Sequence, residues 1–211
     1  MTDVRSATSR LRATLLAVPL AAAVLLGTAE PTSAQTTAVS SLTCRGAGID
    51  SAAVLHHRTE TFIAAPLETV WKLHTAVEGW PDWQAAVTSM KRLDPGPLRP
   101  GSRFRWTTPA PATPTTPATT LEITSTVQQV QNQRCIRWSG PAIGEGLRID
   151  EGVHVWNFVP VRGGVLVRTE ESWTGGQIEA DPATAIQYLA PGLDLWLADL
   201  KAAAEARACH R

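Results

Sequence analysis

His154 and Glu171 are the two residues whose types and spacing could most directly do chemistry. They lie on two runs rich in β-branched residues, Val153–Val161 and Gly164–Trp173, joined by the turn Arg162-Gly163-Gly164. A hairpin with Val161 opposite Gly164 sets Phe158 against Val167, Trp156 against Thr169 and His154 against Glu171. Side chains alternate along a strand, so all six share one face, and Phe158 and Val167 make that face the inner one. A slip of one residue would turn the whole set outward. A carboxylate beside an imidazole is a general acid/base pair, a clamp for the polar head of a ligand, or a satisfied polar pair inside a core. Arg168 and Glu170 fall on the opposite face and read as surface charges.

The aromatic residues point to the same interior. The chain holds eight Trp against three Phe and one Tyr. Alternation places Phe104 and Trp106 inward on one strand and Trp138 inward on another, so Trp106, Trp138, Trp156 and Trp173 would face a common space. One reading is an aromatic cage for a flat or lipidic ligand. The other is core filling, because burying one Trp removes about 150–250 Å² from water, or roughly 4–6 kcal/mol as an upper bound. The candidate ligand-binding set is Trp106, Trp138, His154, Trp156, Phe158, Thr169, Glu171 and Trp173, with His154 and Glu171 as the candidates for any catalysis. No nucleophile elbow, zinc-protease motif or phosphate loop occurs. His56 and His57 point to opposite faces of a strand and do not suit a shared metal. No cofactor and no metal are expected.

These residues need a sheet and a helix to hold them. Val54–Ile63 reads as a strand, and Ala65-Pro66 opens a helix on which Leu67, Val70, Trp71 and His74 recur at helical spacing. Gly79-Trp80-Pro81 breaks it into a second short turn ending near Trp83. Strands follow at Ala86–Leu93, Arg103–Thr108, Leu121–Gln131, Arg134–Gly140, Val153–Val161 and Gly164–Trp173. Pro109, Pro111, Pro114 and Pro117 make residues 109–119 an extended inserted loop, since proline lacks the ladder donor. Asp181-Pro182 starts a closing helix with Ile186, Leu189, Leu193, Trp196, Leu197, Leu200 and Ala204 on one face. Pro191-Gly192 should kink or restart it.

The first 34 residues have the form of a secretory signal: Arg5, Arg10 and Arg12, the apolar run Ala13–Gly27, then Thr32-Ser33-Ala34 before a cleavage point. The apolar run is shorter than the ~20 residues a bilayer span needs. The mature protein is therefore expected to be secreted, with no stable membrane span once the signal is removed. Residues 35–50, rich in Ser, Thr and Gly, read as a flexible lead-in, and 51–208 as the folded domain. Cys44, Cys135 and Cys209 allow at most one intramolecular disulfide out of three pairings. With 19 basic and 19 acidic residues among 211, the chain has no basic field for nucleic acid. Its oligomeric state is open.

One strand, two short helices, six strands and a long helix describe an α+β protein whose curved sheet a single helix cannot fill. The segments Phe62–Trp71 and Trp80-Pro81-Asp82-Trp83 resemble the opening of the polyketide cyclase/dehydrase and lipid-transport family, within the START-like superfamily that includes the birch-pollen allergen. Pro100–Trp106, His154–Pro160 and Thr169–Trp173 match the same pattern, in order, over roughly residues 53–207. The resemblance implies a helix-grip fold: a curved seven-stranded antiparallel sheet wrapped around a long C-terminal helix, with two short helices after the first strand. It implies a small hydrophobic ligand as partner. It does not fix an activity, because the superfamily hosts binders, transporters, cyclases and hydrolases. Three readings follow: an exported carrier of a hydrophobic or aromatic molecule, a cyclase or dehydratase using His154 and Glu171, and a secreted domain with a filled core.

Overall fold

A computed structural model describes residues 41–209. Seven strands form one antiparallel sheet: β1 (Leu55–Ile63), β2 (Ser89–Arg92), β3 (Arg103–Ala110), β4 (Thr119–Gln131), β5 (Cys135–Gly144), β6 (Leu147–Val161) and β7 (Gly164–Thr174). Their order across the sheet is β1-β7-β6-β5-β4-β3-β2, so every neighbouring pair after β1 is a sequence-local hairpin. Helix α1 (Leu67–Thr75) and a 3-10 turn (Val77–Asp82) follow β1. A one-turn helix α2 (Gly176–Ala180) and the long helix α3 (Pro182–Cys209) close the chain. This is the helix-grip arrangement.

The β6–β7 register is the one the turn dictates: Val161 pairs with Gly164, Phe158 with Val167, Trp156 with Thr169 and His154 with Glu171. Gly163 takes a φ of 84°, which an L side chain rarely adopts, so the tight connection rests on glycine there.

Helix α3 lies along the sheet and divides the interior into two apolar regions. Trp196, Leu197, Leu200 and Ala204 in its second half pack with α1, the 3-10 turn and strand residues such as Phe104, Trp138, Trp156 and Phe158. Ala185, Leu189 and Leu193 in its first half face Leu121, Ile123, Ala142 and Ile149. Only the first region has α1 and the 3-10 turn as additional filling.

Several expectations are corrected. Strands β5 and β6 run much further than Gly140 and Val153, because Ala142 pairs with Ile149 and Gly144 with Leu147. The glycines and Pro141 in between hide this extension from a propensity reading; the register shifts between Gly140 and Ala142 instead of the strands ending. A Cβ on Gly140 would stand 1.9 Å from the Thr124 carbonyl oxygen, so only glycine fits the crossing. Strand β2 is shorter than Ala86–Leu93. Pro109 lies within β3, opposite Thr120. Its missing donor is harmless because β2 reaches only to Thr107, which leaves that end of β3 on the sheet edge. Helix α3 does not restart at Pro191; it is continuous from Pro182 to Cys209.

The segment 41–50, expected as part of a flexible lead-in, is docked on the outer face of the sheet. Cys44 bonds Cys135, and Leu42 and Cys44 pack with Cys135 and Val155. Polar residues of that face hold its backbone: Asn157 Nδ2 donates to the Thr43 carbonyl at 2.9 Å, Arg137 Nε donates to the Gly48 carbonyl at 2.7 Å, and Ser172 Oγ accepts from the Asp50 amide at 3.1 Å. Glu170, expected at the surface, is buried and accepts a hydrogen bond from the Leu42 amide. It does face outward, but this segment covers it. Arg168 is the surface charge expected, paired with Glu60 at 3.0 Å. Residues 1–34 and 35–40 lie outside the described residues.

Candidate functional site

A cavity of about 320 Å³ opens between the first half of α3 and the inner face of the sheet. Its apolar wall includes Leu121, Ile123, Ala142, Ile149, Ile178 and Leu189. The Pro/Thr loop folds over it, with Pro111, Thr113, Thr115 and Thr116 lining it directly. The loop is a structured wall: the Thr113 amide donates to the Thr116 carbonyl at 2.9 Å, and their hydroxyls meet at 2.7 Å. The volume suits one small molecule.

The expected site residues divide into two groups. Trp106, Trp138, His154, Glu171 and Trp173 line the cavity. Trp156, Phe158 and Thr169 do not; they are fully or almost fully buried at the end filled by α1. Phe158 stacks edge-on against Trp71 at 5.2 Å, and Trp156 lies 4.5 Å from the His74 ring. They share the inner face with His154, as the register requires, but α1 covers their end of the strands. The sequence reading missed Trp196, which reaches the cavity from α3 and meets Trp106 edge-on at 5.4 Å. It also missed His74. Both were visible as members of apolar helix faces, but nothing in their spacing marks them as facing the sheet's aromatic belt.

Glu171 and His154 are the polar centre of the wall. Glu171 Oε2 stands 3.4 Å from His154 Nδ1, a little long for a hydrogen bond. Trp173 Nε1 donates to Glu171 Oε1 at 2.9 Å, and His154 Nε2 meets Thr169 Oγ1 at 2.6 Å. Burial holds His154 well below the ordinary imidazole range, reinforced by the nearby His74. Burial pushes the Glu171 carboxyl up to about 7, partly opposed by the Trp173 hydrogen bond. Near neutral pH the imidazole is therefore uncharged and the carboxyl is poised between its two forms. Thr169 Oγ1 also lies 3.4 Å from the Val155 carbonyl, which accepts its proton. His154 Nε2–H then donates to the Thr169 hydroxyl, leaving Nδ1 free to accept from a protonated Glu171.

His74 is an unusual core residue. It is fully buried, stacks on Trp138 at 5.4 Å, and neither ring nitrogen has a hydrogen-bond partner. Burial alone lowers its pKa to about 3. Its backbone carbonyl accepts the Trp80 indole N–H at 2.9 Å, fixing the 3-10 turn against α1. A glycine gives the cavity room beside its polar centre. Gly152 lies on the same face as His154, and a Cβ there would already sit 3.4 Å from Glu171 Oε1 and 3.5 Å from Trp173 Cδ1. No group of three or more metal-binding side chains occurs among the described residues, and no described helix is long and apolar enough to cross a membrane.

Solved structures share the fold at low identity. A Thermus thermophilus protein, TTHA0849, superposes with a TM-score of 0.55 at 20% identity, covering 72% of this chain and 98% of its own. The Zhui aromatase/cyclase from Streptomyces sp. R1128 gives 0.56 at 12%, covering 72% and 94%. The di-domain aromatase/cyclase StfQ of the steffimycin biosynthetic pathway gives 0.55 at 18%, covering 74% of this chain and 52% of its own. No curated protein sequence matches. The family model for polyketide cyclase/dehydrase and lipid transport matches residues 55–205, which includes every strand and nearly all of α3. The chain belongs to the polyketide cyclase/dehydrase and lipid-transport family.

Proposed function

We propose that this chain is an exported binding or carrier protein for a small hydrophobic or aromatic molecule held in the internal cavity. The observation that carries the proposal is the roughly 320 Å³ cavity whose largely apolar lining includes the indoles of Trp106, Trp138, Trp173 and Trp196, with Glu171 and His154 as a buried polar pair in its wall. A filled core would need no such space. Export is supported by the Cys44–Cys135 bond, since such bonds persist in oxidising compartments, and by the signal-like first 34 residues. Native mass spectrometry of the purified protein should show a reproducible bound mass of a few hundred daltons, or tryptophan emission should respond to a panel of sterols, fatty acids and aromatic polyketides. A bare protein that ignores the whole panel overturns the carrier reading.

Gly152→Leu separates the cavity from the rest of the fold. The new side chain must enter the cavity beside Trp173, so binding is expected to weaken by at least about tenfold while the melting temperature holds within a few degrees. Undiminished binding would place the ligand elsewhere.

A second reading, a cyclase or dehydratase, is favoured by one specific feature. A carboxyl poised near 7 beside a neutral imidazole is suited to moving a proton at neutral pH. His154→Ala discriminates between the two readings: a carrier loses at most some affinity, whereas an enzyme loses turnover.

A further inference from the structure

The cavity wall is electrostatically one-sided. Its titratable residues are His154 on β6, Glu171 on β7, Asp181 before α3 and Tyr188 on α3; no Lys or Arg is among the lining residues. Asp181 sits at the mouth, where the Thr184 hydroxyl and then the Thr184 amide, which donates to its carboxylate at 3.0 Å, hold its pKa below the ordinary value, so it is an anion. Glu171 stands deeper, with 18% of its side chain accessible. Its two contacts, with the Trp173 indole and the His154 ring, bring no positive charge, because burial keeps His154 neutral. A carboxylate carries about four acceptor positions, so capacity remains on the cavity side. Trp173 lies against Glu171 through its indole N–H, the Trp138 and Trp196 rings lie 5.3 Å and 6.4 Å from the His154 ring beside it, and Trp106 lines the same cavity. Indoles attract cations through the negative face of the ring, and more strongly where water is excluded.

We propose that the ligand of this cavity is a hydrophobic organic cation, an aromatic or polycyclic amine whose protonated nitrogen sits against Glu171 within the tryptophan cage. This deepens the carrier reading and rests on it. A fatty acid or other carboxylate would bring a second negative charge toward Glu171 with no cation to receive it. A neutral alcohol could hydrogen-bond Glu171 but would leave the indole faces and the acidic mouth without a complementary charge. Burial of Glu171 is consistent with this assignment. A carboxyl pushed up by desolvation alone regains its ordinary ionisation when a cation enters, and that gain appears as ligand affinity.

The test is isothermal titration calorimetry of the purified full-length protein with three probes on one skeleton: naphthylethylamine, naphthylethanol and naphthylacetic acid. At about pH 8 the amine is protonated and Glu171 largely ionised. The amine is expected to bind at least about tenfold tighter than the alcohol, and the acid weakest of the three. Glu171→Gln keeps the shape and removes the charge, and is expected to bring the amine down to the alcohol's affinity. Equal affinities for amine and alcohol in the unmodified protein, or tightest binding of the acid, overturn the cation assignment while leaving the carrier reading intact. Binding of none of the three, together with indifference to sterols, fatty acids and polyketides, overturns both.

Discussion

Replacing both Cys44 and Cys135 by alanine is expected to lower the stability of the protein by about 4 kcal/mol, measured by guanidinium denaturation in a Cys209→Ser background. The disulfide joins residues 91 apart, so its loss restores a large loop's worth of freedom to the unfolded chain. The loss also reaches beyond the link itself. The segment 41–50 is held otherwise by a few hydrogen bonds to Arg137, Asn157, Glu170 and Ser172 and by the small Leu42–Val155 contact. Once it lifts, Glu170 and Val155 on the outer face meet water. Such a loss is a large share of the 5–15 kcal/mol typical of a domain. The serine at position 209 removes an exposed thiol that could exchange with the pair. Ligand binding should survive wherever the variant is folded, because the bridge lies on the sheet face away from the cavity. A stability change below about 1 kcal/mol would show that the segment adds nothing to the domain.

Acid is the second large lever. His74 is neutral in the fold, with a pKa lowered to about 3, whereas in the unfolded chain it titrates near 6.5. The unfolded state therefore binds more protons between these values, and stability falls as pH drops from 6.5 to 3, by on the order of 5 kcal/mol from this residue. His154 acts in the same direction. Glu171 acts in the opposite direction: its folded pKa of about 7 lies above the ordinary 4.5, so its contribution grows as pH falls from 7 to 4.5 and is complete below that. Between about pH 6.5 and 4.5 the gain from Glu171 offsets one of the two histidine losses, so stability falls there, and it falls roughly twice as steeply beneath about pH 4.5, where Glu171 no longer compensates. His74→Phe removes one arm. It keeps an aromatic ring against Trp138 and Trp156 and discards two buried nitrogens that have no partners. The variant should be about 1 kcal/mol more stable at neutral pH and should unfold at lower pH than the parent. An unchanged acid midpoint, followed by far-ultraviolet circular dichroism, would show that His74 is not the group that titrates.

The inner face of the β6–β7 hairpin was legible because it depends on two local facts. A two-residue turn with Gly163 sets the register, and alternation then assigns Trp156, His154, Thr169 and Glu171 to one side. Everything that requires knowing how far along a strand the covering elements reach was not legible. Trp156 and Phe158 face inward like His154, but α1 brings Trp71 and His74 onto them and makes them core. The strand interior of Gly140–Gly152 was hidden for another reason: a propensity reading takes its glycines for breaks, whereas Gly140 serves a close backbone crossing and Gly152 leaves room beside Glu171. Glu170 was assigned to the correct face, but a face does not determine exposure when another segment of the chain lies on it.

By itself, then, the order of residues determined the α+β class, the strand pairing near each tight turn and the inward-facing set, because hairpins and period-two alternation are short-range effects, while the helix-grip arrangement was implied by the resemblance to the family. Tertiary structure alone chose the Cys44–Cys135 pairing, placed the Pro/Thr loop over the cavity and brought Trp196 to its wall. It also divided one continuous inner face into a filled end and an open one. That division depends on where α1, the 3-10 turn and the two halves of α3 settle against the sheet. Such contacts join residues far apart in the chain, and their burial depends on the whole packed arrangement.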